Sequence, residues 1–259
     1  MSLAQGTFAA LGAYTSAVLT LHYNWSAYAS LPLALLVPGL IAFPLSYAVV
    51  RLSPLALAIA TLLFGKIVDL LLRAGGDVTG GYVGLSGVPS IAGFEEPLRF
   101  HLLAWTCVIV VVWLVVNLES STLGRAAHSI RHDTQRAAAD GVPVRRVQAA
   151  VFTFGAMVAG LGGWLYAHYS SFLSPESLGF TVSISALLMA VVGGSRHALG
   201  PIAGTALLML VVKYIPGAHW QGIFYGGALV AVLLIAPRGL LGIDPRRWTT
   251  RRHTRSEPI

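Results

Sequence analysis

FHLLAWTCVIVVVWLVVNLESSTLGRAAHSIRHDTQRAAADGVPVRR, residues 100–146, joins two kinds of chain that a water-soluble domain rarely sets side by side. Phe100 to Leu118 holds no Lys, Arg, Asp or Glu. At 1.5 Å per residue a helix over that run measures about 28 Å, close to the thickness of a bilayer's hydrocarbon core. Residues 124–146 then hold five arginines and two aspartates before apolar sequence resumes. This pattern predicts a spanning helix, a short basic helix outside the lipid, and a second spanning helix.

The rest of the chain agrees. It has 259 residues, 56% hydrophobic and 10% charged, with 28 glycines and a mean hydropathy of +0.73. These values lie outside the range of soluble domains and place the chain among polytopic membrane proteins. Further apolar runs cover residues 3–21, 31–50, 54–72, 147–169, 199–214 and 222–236, and a weaker run, FTVSISALLMAVV, covers 180–192. At about 20 Å that last run is short for a crossing. The expected fold is all-α: a single polytopic transmembrane bundle over residues 1–259, of about eight helices with one short or broken. The first residues carry no basic stretch and no clear cleavage site, so they read as a retained helix. Cys107 is the single cysteine, which excludes an internal disulfide and a cysteine metal cluster. No cofactor is expected.

Alternate crossings divide the 17 basic residues unevenly. Thirteen of them, from Arg51 through the 124–146 segment and Arg196 to the basic tail at 238–259, fall on one side. By the positive-inside rule that side is the cytoplasm, and both termini are expected there. Arg73, Arg99 and Lys213 fall on the other side, and Lys66 lies within a span. The tail reads as a cationic segment held by anionic membrane lipid, not as a nucleic-acid binder.

The basic segment predicts one cytoplasmic helix over about residues 122–141. Leu123, Ala127, Ile130, Thr134, Ala137, Ala138 and Gly141 share a stripe, with Arg125, His128, Arg131, His132, Gln135 and Arg136 off it. A membrane-surface helix needs large apolar residues, whereas this stripe is mostly alanine. Its small-residue face suits contact with another protein, and Gly141 and Pro143 supply a helix stop.

That segment, continued as VQAAVFTFGAMVAGLGGWLYAHYSSFLSPESLGF (147–180), resembles the LivM-type permease subunits of branched-chain amino acid ABC importers, a class that includes urea permeases. GTFAALGAYTSA (6–17), LALAIATLLFGKIVDLLL (55–72), TGGYVGLSGVP (79–89), LLMAVVGGSRHALGPIAGTALL (187–208) and LIAPRGLLG (234–242) add matches in order along nearly the whole chain. The resemblance implies an ABC importer permease fold in the bacterial inner membrane. It also implies that the basic helix docks on ATP-binding cassette subunits through Arg125, Ile130, Arg131, Asp133, Ala137, Ala138, Asp140 and Gly141. A second related permease subunit, a periplasmic or extracellular substrate-binding protein and a small-molecule substrate are the remaining partners it implies. Thr134, Ala138 and Val83 depart from the family pattern. Asp133 or Asp140 is the candidate to replace the acid of the docking motif.

Candidates for a translocation path are Lys66, Asp69, Gly80, Gly81 and Ser86. Lys66 and Asp69 are three apart, hence on one helix face, and are expected to form an ion pair. DVTGGYVGLSGVPS (77–90) reads first as turn geometry, with exposed N–H groups as a second possibility. Gly193, Gly194 and Arg196, in GGSRHALGP, are candidates for an inner gate beside a broken helix. GLSG at 84–87 matches an intramembrane protease pattern, yet Ser86 sits in a Gly-rich loop with no histidine placed to activate it. No GxxxxGK[ST] loop is present, so ATP hydrolysis is expected on another chain. The readings are a branched-chain amino acid permease, with a urea or short-amide permease as alternative and an ion-coupled transporter behind both.

Overall fold

The structure, a computed structural model, describes residues 3–49, 52–194 and 199–214. They fall into two compact units divided after Ser185. The expected span at 222–236, the basic tail and Arg196 lie outside the described residues.

In the first unit α1 (Gln5–His22), α2 (Ala27–Val49) and α8 (Val144–Ser170) pack on one another. Small residues make this possible. A Cβ at Gly12 would meet the Gly160 Cα at 2.6 Å and the Ala34 carbonyl at 2.9 Å, and a Cβ at Gly163 would overlap the carbonyl of Ala9. Without those side chains the backbones come close enough for dispersion contacts to replace the missing hydrophobic drive between helices in lipid. Not every glycine of α8 serves here. Gly162 faces open space, and Gly155 meets only the Gln5 amide at 3.5 Å.

α1 is buried along most of its length, with Phe8, Ala13 and Ala17 fully enclosed. Its core partners include Phe64, Phe152, Val68 and Leu173. α2 contains Pro32, Pro38 and Pro44. Each proline removes an intrahelical hydrogen bond, which a membrane helix tolerates when neighbours cover the freed carbonyl. Pro38 is fully buried where α2 meets α8.

Among the described residues four helices are long and apolar enough to cross a membrane: Ala27–Ala48, Leu55–Ala74, Pro97–Ser120 and Val144–Ser170. The second lies within α3 (Pro54–Ala74), started by the Ser53 hydroxyl accepting from the Ala56 N–H, and the third is α5 (Pro97–Ser120). Phe100 is the buried residue of α5, and Trp105, Ile109 and Trp113 stand exposed along it. Such an apolar surface belongs in lipid or against another protein.

A short helix, α4 (Gly76–Thr79), and a loop follow α3. Leu85–Ser86 (β1) pairs antiparallel with Phe172–Leu173 (β2) just after α8, with Leu85 opposite Leu173. The loop is stapled again where the Gly87 and Val88 N–H groups donate to the Ser171 carbonyl, and Val88 and Ile91 are buried beneath it. Gly80 (φ 72°) and Gly84 (φ 88°) adopt left-handed backbone there. A Cβ on either would strike a carbonyl, of Gly84 or of Leu173. The turn reading of residues 77–90 is therefore what the structure shows.

Between α5 and α8 the expected single helix is two: α6 (Thr122–His132) and α7 (Thr134–Ala139). The break is chemical. Asp133 is extended at φ −155°, and its Oδ1 accepts from the N–H groups of Gln135 (2.9 Å) and Arg136 (3.0 Å), starting a new helix. α7 ends in a Schellman motif, with the Val142 N–H to the Ala137 carbonyl at 3.0 Å and the Gly141 N–H to the Ala138 carbonyl at 3.1 Å. Gly141 supplies the left-handed residue at φ 82°.

α9 (Phe180–Gly193) begins in the first unit and ends in the second, which also holds α10 (Gly200–Tyr214). Within the second unit a Cβ at Gly204 would lie 2.7 Å from the Gly193 N and 3.0 Å from its Cα, so α9 and α10 meet along glycine.

Candidate functional site

A cavity of about 530 Å³ lies between α1, α3 and the chain entering α9. Leu3, Leu62, Phe180 and Val182 give it an apolar lining, and Lys66, Asp69, Arg73 and Glu176 bring charge of both signs. The last three are linked. Arg73 Nε donates to Asp69 Oδ1 at 3.2 Å, Arg73 Nη2 donates to Glu176 Oε1 at 3.3 Å, and the guanidinium lies 5.3 Å from the centre of the Tyr82 ring.

This corrects the expected Lys66–Asp69 pair. An acid four residues before a base matches helix geometry and dipole better than a base preceding its acid, and a guanidinium can hold two carboxylates at once. Asp69 has therefore gone to Arg73. Among the described residues Lys66 has no ion pair or hydrogen bond. Arg73 was visible in the sequence at the right spacing from Asp69, whereas Glu176 is 103 positions away and carried no signal.

The cavity opens at the surface of the chain, where Lys66, Glu176, Phe180 and Thr181 of its lining are exposed. The Leu3 N–H donates to Thr61 Oγ1 at 3.2 Å, and a Cβ at Gly65 would meet Thr7 Oγ1 at 2.8 Å. The start of α1 is thus level with residues 61–65 of α3, roughly 10 to 17 Å from that helix's first residue. The Gly6 N–H donates to Ser183 Oγ at 2.9 Å, which puts the first turn of α9 at the same level. The first turn of α9 therefore lies beside the start of α1 and the middle of α3, after a non-helical stretch that follows α8. Gly193 and Gly194 mark the break expected after the helix. The structure shows another before it, in the non-helical residues 174–179.

Lys66 and Asp69 thus reach one cavity, while Gly80, Gly81 and Ser86 do not line it. Ser86 is exposed on β1. His101 holds the Pro97 carbonyl and packs edge-on against Tyr169, its ring centre 6.0 Å away, so it does not serve Ser86. Gly193 is buried at the α9–α10 contact and Gly194 is left-handed at φ 104°.

A buried polar network was not foreseen. His168 on α8 is 2% exposed. Its Nδ1 donates to the Pro89 carbonyl at 2.7 Å, and its Nε2 meets Ser16 Oγ at 2.8 Å, which in turn lies 2.6 Å from Ser30 Oγ. The Ala27 carbonyl accepts from Trp164 Nε1 at 3.0 Å and lies 2.8 Å from Ser30 Oγ, whose single proton goes either to it or to Ser16 Oγ. A carbonyl at Nδ1 places the proton there, so Nε2 accepts from Ser16. The network ties α1, α2, α8 and the loop after α4 in a medium where an unpaired polar group is costly.

The α6–α7 hairpin divides the docking candidates. Ile130 and Ala137 are buried against Val147 at the foot of α8, with Ala126, Ala127, Val142 and Val144 around them. They pack in the core of this chain. Arg125, Arg131, Asp133, Ala138, Asp140 and Gly141 are exposed. Arg125 also donates to the Ser120 carbonyl at 2.7 Å, closing the end of α5. Asp133 spends one oxygen on capping α7.

Residues 1–235 match the family described as branched-chain amino acid transport system / permease component. The chain belongs to that family. Within it, the chain is 31% identical to the high-affinity branched-chain amino acid transport system permease protein LivM of Escherichia coli, over 92% of this chain and 63% of that relative. It is 24% identical to a probable branched-chain amino acid transport permease protein, LivH, of Methanocaldococcus jannaschii, over 94% of this chain and 83% of that one. It is also 27% identical to the autoinducer 2 import system permease protein LsrC of Escherichia coli, over 60% and 48%. The chain spans less than two thirds of the length of the LivM relatives. No solved structure matches it.

Proposed function

We propose that this chain is the membrane-spanning permease subunit of an ATP-binding cassette importer in the bacterial cytoplasmic membrane. It forms the path for branched-chain or related amino acids beside a second, related permease. Two ATP-binding subunits hydrolyse the nucleotide and a soluble binding protein delivers substrate; this chain performs no chemistry of its own. Both termini lie in the cytoplasm, on the side that collects most of the arginines.

The observation that carries this reading is the hairpin α6–α7. Two long apolar helices, α5 and α8, flank an element whose polar face is exposed and whose apolar face is locked onto the foot of α8 by Ile130, Ala137 and Val147. A push on that exposed face is transmitted to α8 because packed residues do not yield separately. α8 is the helix against which α1 and α2 pack, so its tilt moves the wall of the cavity through α1. Arg125, Arg131, Ala138, Asp140 and Gly141 are the docking face, and Gly193, Gly194 and Arg196 are the inner gate.

Purification from native membranes tests this. A polypeptide with ATPase activity should co-purify, and vesicles holding the complex should accumulate L-leucine only when ATP is supplied. Uptake driven by an ion gradient in a preparation free of ATPase would overturn the assignment.

A further inference from the structure

We infer that the cavity between α1, α3 and the start of α9 is a binding site for a zwitterionic α-amino acid, with Lys66 as its carboxylate anchor and the Asp69–Glu176 carboxylates as its ammonium anchor. This rests on the transport reading above and places the substrate on this chain. The cavity, about 530 Å³, has room for a branched aliphatic side chain along Leu3, Leu62, Phe180 and Val182. Its four charges sum to zero, yet they are not all matched. Arg73 engages one oxygen of Asp69 and one of Glu176, while Lys66 is without an ion-pair partner among the described residues.

Lys66 is exposed at the rim of this cavity, about 18 Å along α3 from Pro54, where an unpaired ammonium costs about 2.5 to 3.5 kcal/mol on insertion scales and an anion offsets that cost. A neutral ligand carrying both signs supplies it without leaving net charge in the membrane. The carboxylate meets Lys66 beside the first turn of α9, whose N–H groups have no intrahelical acceptor. The ammonium meets the second oxygens of Asp69 and Glu176. Arg73 positions both acids and does not touch the ligand. Amines and simple carboxylic acids satisfy half of this arrangement, which makes it selective for the zwitterion.

The test uses the whole chain in cells with its partner subunits, in a Cys107→Ser background, with Thr181→Cys on the cavity wall as the reporter. A charged methanethiosulfonate should modify that reporter. L-leucine should slow the modification about threefold at twice its dissociation constant, by mass action, and leucinamide, which lacks the anionic carboxylate, should not. Lys66→Gln should abolish the protection and Lys66→Arg should retain it. Absence of protection in the parent, or protection that persists in Lys66→Gln, overturns the site. Leucine uptake measured in the same cells separates the two ideas. Uptake without protection removes the site and leaves the transport reading, and protection without uptake removes the transport reading and leaves the site.

Discussion

At the scale of single residues, buried polar atoms and missing side chains set the tolerances. Ser16→Ala removes the donor to His168 Nε2 and a partner of Ser30, and leaves at least one enclosed group unpaired. The expected cost is about 1–3 kcal/mol. Thermal unfolding of the purified protein in detergent measures it, and an unchanged midpoint would show that the network does not hold the helices together. Two neighbouring glycines give a sharper contrast. Gly163→Val drives methyl groups into the Ala9 carbonyl and the Ala13 N–H, whereas Gly162→Val enters open space. The first should destabilise by about 1–3 kcal/mol or more through overpacking. The second should stay close to the parent, and equal midpoints for the two variants would contradict the packing described.

At the scale of elements, the hairpin between α5 and α8 depends on its caps. Asp133→Ala removes the acceptor that starts α7, at a cost of about 0.5–2 kcal/mol. Hydrogen exchange at the amides of residues 135–139 should speed up by about the corresponding factor, since local opening then becomes easier, while the amides in the middle of α8 remain protected. Uniform acceleration in both places would mean that the hairpin and α8 open as one unit.

At the scale of the molecule, the same hairpin separates folding from function. Ala137→Trp forces a large ring into the contact with Ile130 and Val147 and should lower the unfolding midpoint. Ala138→Trp points to solvent and should leave the midpoint unchanged. In the importer proposed above it should nevertheless cut leucine uptake while ATP turnover continues. Normal uptake by the Ala138→Trp complex would show that this face carries no coupling. Family membership does not replace such a measurement, because the chain covers only 63% of the LivM relative it resembles.

Much of this architecture could be read from residue order. Apolar runs of spanning length and an alanine-rich basic insert are one-dimensional signals, and they follow from the thickness of lipid and the pitch of a helix. A basic helical insert was legible for that reason, but its break into α6 and α7 at the Asp133 cap was not. The cavity was not legible as a whole. Lys66 and Asp69 announced themselves as charges in a span, but which base takes the acid depended on geometry, and Glu176 joined them across 103 positions. Likewise Ser16 and His168 meet across 152 positions. Such pairings arise only when helix faces are turned toward one another. Glycines show the limit most plainly, since Gly162 and Gly163 are the same letter twice, and only the neighbouring backbone decides that one is open and the other has no room for a side chain.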